Sequence, residues 1–343
     1  MPTKSGNRQE TKTWGRRSLC GIASLVVLAA VAWGQQSEPL RLVQTISLPD
    51  IQGRIDHFAL DSDGQRLFMS ALGNNSVEVI DLKAGKAVQT IRGVEEPQGV
   101  GYVSDAKKIF VANGGDGALR IFDGNSYRLL DTIAFSSDAD NIRYGQQGKR
   151  VYVGYGDGAL GIIDAYTGQR LGDIKLEGHP ESFQLDASSP KIFVNVPHAG
   201  HIAVVDRDQQ KVIARWPLEN ASANFPMALD QKGHRLFVVC RKPASLLIFN
   251  TDSGKQATAL PVVGDADDVF FDAARRRIYI SGGEGYISVI RQIDVNHYQA
   301  IAKIETASGA RTSFFAPDLG RLYLAVPRRG DRKAEIRVYE VRP

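Results

Sequence analysis

From residue 40 onward, apolar positions fall into short runs of alternating or β-rich character, and turn residues separate one run from the next. That spacing predicts strands and leaves no room for a helix. One unit shows the rhythm. Gly99–Val103 is a strand and Ser104-Asp105-Ala106 a turn. Lys108–Asn113 is the second strand, Gly114-Gly115-Asp116-Gly117 a hairpin, and Leu119–Asp123 the third strand. Gly124-Asn125-Ser126 turns the chain into a fourth strand, Leu129–Ile133. The next unit copies it, with strands at 151–155, 160–164 and 171–176 and a hairpin at Gly156-Asp157-Gly158. Glycine there supplies the positive φ that tight hairpins demand.

The second strand of each unit carries a signature: a basic residue, a branched apolar residue, then an aromatic. It occurs as Arg66-Leu67-Phe68, Lys108-Ile109-Phe110, Arg150-Val151-Tyr152 and Lys191-Ile192-Phe193. It returns as Arg235-Leu236-Phe237, Arg277-Ile278-Tyr279 and Arg321-Leu322-Tyr323. The aromatics are 42, 42, 41, 44, 42 and 44 residues apart. Four antiparallel strands repeated at such a period make the blades of a β-propeller. The seventh unit lacks a fourth strand, while residues 40–48 read as an unassigned strand similar to Val88-Gln89-Thr90-Ile91. The expected fold is therefore all-β, a seven-bladed β-propeller of four-stranded antiparallel blades, its ring closed by the N-terminal strand completing blade 7.

Ile109-Phe110-Val111-Ala112-Asn113, followed by a glycine-rich turn and Ala118–Asp123, resembles the YVTN-type propeller repeat. That repeat occurs in secreted bacterial and archaeal proteins, within a larger group similar to the quinoprotein amine dehydrogenase β chain. The resemblance covers residues 40–343 and implies the fold rather than an activity.

Residues 1–34 change the picture of charge. A basic stretch ending at Arg16-Arg17 precedes an apolar run from Leu19 to Trp33, and small residues at 30–34 offer a cleavage site before Gln35. The run is shorter than the roughly 20 residues of a bilayer span, so a cleaved signal peptide is expected, with no permanent membrane anchor. Residues 35–343 then form one propeller domain, periplasmic or secreted. Removing residues 1–34 leaves 37 of the 42 basic and 37 of the 38 acidic side chains. A net charge of zero gives no support to nucleic-acid binding. Cys240 would remain as a lone thiol in Phe237-Val238-Val239-Cys240, a buried strand setting rather than a nucleophile.

Candidate chemistry lies where the segments leading into the first strands meet the second-to-third-strand hairpins, at one mouth of the central channel. Twelve residues before each aromatic stand Asp56, Gln98, Asp140, Glu181, Phe225, Asp267 and Arg311. The next column reads His57, Gly99, Asn141, Ser182, Pro226, Asp268 and Thr312, and the one after is apolar in six of seven repeats. Asp56, His57, Asp140, Asn141, His179, Glu181, Asn224, Asp267, Asp268 and Arg311 are therefore the candidate ligand-binding residues. A ring of carboxylates attracts a cation or a polyhydroxylated ligand, and Asp140, Glu181 and Asp267 are hard oxygen donors suited to Ca²⁺ or Mg²⁺. They serve equally as caps on strand starts. Blade 4 also supplies His198 and His201, which with His179 and Glu181 would suit a transition metal if its hairpin folds over the mouth. Arg241-Lys242, Arg328-Arg329 and Arg332-Lys333 place basic charge on the same rim.

No nucleophile elbow, zinc-protease helix, phosphate loop or haem-attachment motif occurs. The first functional reading is a non-catalytic module that binds a small molecule or protein through the channel mouth, and a monomer is expected. The alternative is a divalent-cation-dependent, lactonase-like hydrolase with its site at the same mouth. A third, drawn from the resemblance alone, is a protein partner of a redox enzyme.

Overall fold

The computed structural model describes residues 38–343; the expected signal segment and its Arg16-Arg17 pair lie outside the described residues. Seven four-stranded antiparallel sheets follow one another around a central channel. In each blade, strand A lines the channel and strand D lies outermost. Blade 2, for example, runs Pro97–Val103, Lys108–Asn113, Ala118–Asp123 and Leu129–Ala134. The fourth strand of blade 3 is Arg170–Lys175, shifted by one residue from the sequence expectation. The only helical pieces among the described residues are single 3₁₀ turns, such as Pro197–Ala199.

Blade 7 is completed from the other end of the chain. Strand Leu40–Leu48 pairs antiparallel with Ala334–Val341, from Leu40 opposite Val341 to Leu48 opposite Ala334. Leu40, Ile46 and Leu48 are fully buried there, so this strand both removes a sheet edge and seals the core between blades 7 and 1.

The repeated signature has a physical reading at every position. All seven strand B aromatics are buried, none more than 4% exposed, and they sit in the apolar seams between blades. In five of the seven blades the basic residue two positions before them is a strut. Arg66 donates to the Gly124 carbonyl and Tyr127 hydroxyl of the next blade, at 2.7 and 2.8 Å. Lys108 reaches the Tyr166 carbonyl, Lys191 that of Thr251, Arg235 that of Val295, and Arg277 that of Arg342. Each receiving group lies in the turn after strand C of the following blade, or just beyond the strand in blade 7. In four blades the turn is itself tied by an Asp or Asn side chain that accepts backbone N–H groups two and three residues on: Asp123, Asp164, Asp206 and Asn250. Thus five members of the basic column hold blade to blade, while Arg321 turns to Glu340 of its own blade.

The path into strand A positions the channel mouth. In blades 2, 3, 5 and 6 the residue two before the polar column has a left-handed backbone: Glu96 (φ 45°), Asp138 (35°), Ala223 (58°) and Asp265 (51°). The A–B pairing of the same four blades breaks register directly afterwards. A kink followed by a bulge re-aims side chains. Here it turns the first polar column over the channel before regular pairing resumes.

Candidate ligand site at the channel mouth

A cavity of about 570 Å³ occupies the mouth, and eight of the ten candidate residues line it: His57, Asp140, Asn141, His179, Glu181, Asp267, Asp268 and Arg311. The other two stand behind it. Asp56 is buried beneath Arg54 and His57, at 2.6 and 2.8 Å. Asn224 is fully buried, donating to Asn195 Oδ1 at 2.8 Å and to the His201 carbonyl.

The ring is not a bare set of carboxylates. Asp267 is held by Arg241 at 2.6 Å and Arg311 at 3.2 Å. Arg241 is fixed in turn by stacking 3.8 Å over the ring of Phe225, which explains the one aromatic in an otherwise polar column. Asp138 accepts from Gln98 at 2.7 Å. Sequence reasoning placed Arg241 on the rim and missed Arg54. Arg54 stands two residues before Asp56, in the column of Glu96, Asp138 and Asp265, and Arg241 ends strand Arg235–Lys242; no other repeat carries an arginine at either position, so periodicity gives no signal.

Electrostatics follow from this crowding. Burial is the largest influence on His57 and opposes its charge, but the field and hydrogen bond of Asp56, with Asp268 and Asp140 nearby, outweigh it and lift the imidazole to about 10. His179 behaves likewise, reaching about 9 through Asp140, the Gly156 carbonyl at 2.7 Å and Asp138. Glu181 is pushed up to about 7 by burial and then by the field of Asp140, with His179 opposing. Asp268 is also pushed up to about 7 by burial, although it accepts the Ser313 N–H at 2.7 Å.

The two expected metal sites meet different obstacles. The blade 4 histidines do not gather. His201 begins strand C with Nε2 3.7 Å from Glu177, which itself pairs with Arg215 at 2.7 Å, whereas His179 and His198 line the mouth. The divalent-cation trio fits poorly too, because two guanidinium groups already occupy Asp267. Among the described residues no group of three or more His, Cys, Asp or Glu side chains is arranged to hold a metal. His234 and His297 lie on the opposite face against Asp252 and Asp294. Cys240 is buried, and desolvation pushes its thiol up to about 12.

Comparisons with known proteins agree with this architecture. The crystal structure of a mitotic checkpoint complex contains a chain that superposes with a TM-score of 0.75 at 12% identity, covering 97% of this chain and 99% of that one. A chain of Kuenenia stuttgartiensis hydrazine synthase gives 0.72 at 16% identity, covering 80% and 94%. The chain is a β-propeller. At these identities the likeness shows the propeller fold alone. No family model matches the chain. The uncharacterized protein YncE of Salmonella typhimurium is 22% identical over 184 residues, 52% of this propeller chain and 51% of the relative. Its Salmonella typhi counterpart is 21% identical over the same length. The chain thus matches about half the length of its curated relatives.

Proposed function

We propose that this propeller is an exported, non-catalytic binding module whose channel mouth takes a donor-rich ligand: a polyol, a sugar, or the ammonium group of an amine or of a partner protein's lysine. One observation carries the reading. Asp140 Oδ1 and Asn141 Oδ1 are buried at the mouth with no hydrogen-bond partner, beside a Glu181 carboxylate that no arginine engages. Buried acceptors without donors are rare and costly, and a ligand bringing O–H or N–H groups would satisfy them. The arginines at the opposite side of the ring brace Asp267 and limit how much positive charge the site tolerates. The repeat resemblance to YVTN-type proteins and the apolar N-terminal run support the same reading of an exported module.

Thermal melting with sorbitol, glucose, lysine and putrescine as probes tests it. A native-state ligand must raise Tm, so at least one probe should do so in the parent. Asp140→Asn combined with Glu181→Gln should abolish the rise. If none of the four shifts Tm at millimolar concentration, the mouth is only a brace for strand starts.

A further inference from the structure

Nine residues before each strand B aromatic runs a third channel column, one that faces the interior below the mouth. Three members are small: Ala59, Gly101 and Ala228. Two are Phe270 and Phe314, whose rings meet edge to face at 6.2 Å. The remaining two are Gln184 and Arg143. Together they line a second chamber of about 520 Å³, whose walls run from His57 near the mouth to Pro317. Three small residues leave space that larger side chains would fill, and Met227, Val100 and Val269 extend its walls as apolar surface.

Arg143 is the only charged member of this column. Its Nη1 donates to the Ile142 carbonyl at 2.7 Å, and Nη2 lies 3.4 Å from Ser182 Oγ. Its guanidinium also stands 5.7 Å over the ring of Phe183. Among the described residues no carboxylate comes within ion-pairing distance; Asp268 and Asp140 act on it only through their fields, and burial disfavours its charge. A guanidinium has five donors in a planar fork suited to a carboxylate. A half-buried one without an anion is the arrangement expected of a site whose anion arrives with the ligand. The other arginines along the channel all have such a partner: Arg54, Arg241 and Arg311 each face a carboxylate within 4 Å, as do His57 and His179.

We infer that the lower chamber binds a monocarboxylate with an apolar, preferably aromatic, body: the carboxylate on Arg143, Ser182 and Gln184, and the body against Phe270 and Phe314. This site is separate from the mouth, sharing only His57, Ser182 and Asp268 as the floor between the two cavities. Its size suits a small organic acid.

Isothermal titration with phenylacetate, 4-phenylbutyrate and the neutral phenylacetamide tests the inference. One of the acids should bind at least tenfold more tightly than the amide. Arg143→Gln should erase that preference while leaving the unliganded Tm unchanged or raised, since it removes an unpaired, half-buried charge. Ala228→Phe, which fills the chamber and keeps the guanidinium, should weaken acid binding at least tenfold. The inference is overturned if acids and amide bind alike, if neither acid binds, or if Arg311→Gln abolishes binding while Arg143→Gln does not. An Arg143→Gln variant that melts far below the parent would show the guanidinium to be structural and overturn it equally. The sorbitol, glucose and amine probes of the mouth report on the other reading separately.

Discussion

Arg241 of blade 5 donates to Asp267 of blade 6 at 2.6 Å, and Arg311 of blade 7 holds the second oxygen of that carboxylate. Three consecutive blades are thus clamped at one point of the mouth, whereas Asp140, on the opposite arc, has an oxygen with no partner. The same substitution should therefore act differently at the two places. Asp267→Asn leaves two guanidinium groups facing a neutral amide and should cost about 2 kcal/mol, the scale of a hydrogen bond to a charged group, a fall of about 3 °C in Tm. Asp140→Asn should stay within about 0.5 kcal/mol of the parent, because it also relieves repulsion with Glu181. Scanning calorimetry of the two single variants measures the difference; equal losses would remove the clamp.

Stability should decline as pH rises from about 5 to 9. Glu181 and Asp268 hold protons more tightly folded than unfolded, with values near 7 against 4.5 and 3.8. Their contribution is present at low pH and lost on rising through 7. His57 and His179 are raised as well, to about 10 and 9 from 6.5. Their contribution is complete below 6.5 and is lost as pH climbs toward those values. All four slopes have one sign. Glu181→Gln should flatten the part between pH 5 and 7 and leave the alkaline part in place, as read from Tm across the range. A parent whose Tm is constant from pH 5 to 9 would contradict these assignments.

Deleting residues 38–48 should be far more damaging than any point change at the mouth. It strips Leu40, Ile46 and Leu48 from two apolar seams and bares the Ala334–Val341 strand edge. Aggregates or oligomers on size-exclusion chromatography are the expected result. A soluble monomer melting like the parent would show that blade 7 does not need its fourth strand.

Export predicts a mature chain beginning near Gln35. Intact-mass measurement on protein recovered from the periplasm or medium should give the mass of residues 35–343. A full-length product confined to the cytoplasm would exclude export by this segment.

The fold was legible because every blade must bury the same face. Phe68, Phe110 and their five counterparts recur at the period of the blade, and the unpaired strand at 40–48 had one vacancy to fill. The mouth was half legible for the same reason: alignment brought Asp140, Glu181 and Asp267 onto one ring. What alignment hid were side chains that break the repeat. Arg54 and Arg241 reach the mouth from columns in which no other repeat carries an arginine. Arg143 shares a column with alanine, glycine and phenylalanine, so only the enclosed geometry shows that its charge stands alone. The basic strand B residue was visible seven times, yet its role appears only once blades are neighbours in space.

The seam in blade 7 has a temporal consequence. Arg41 meets Glu340 across 299 positions of chain, so the first described strand to leave the ribosome has no partner until the last one follows. Each of the other blades assembles from contiguous sequence, whereas this one imposes the longest wait. During synthesis the chain is an open arc, and its final act of folding joins its oldest strand to its newest.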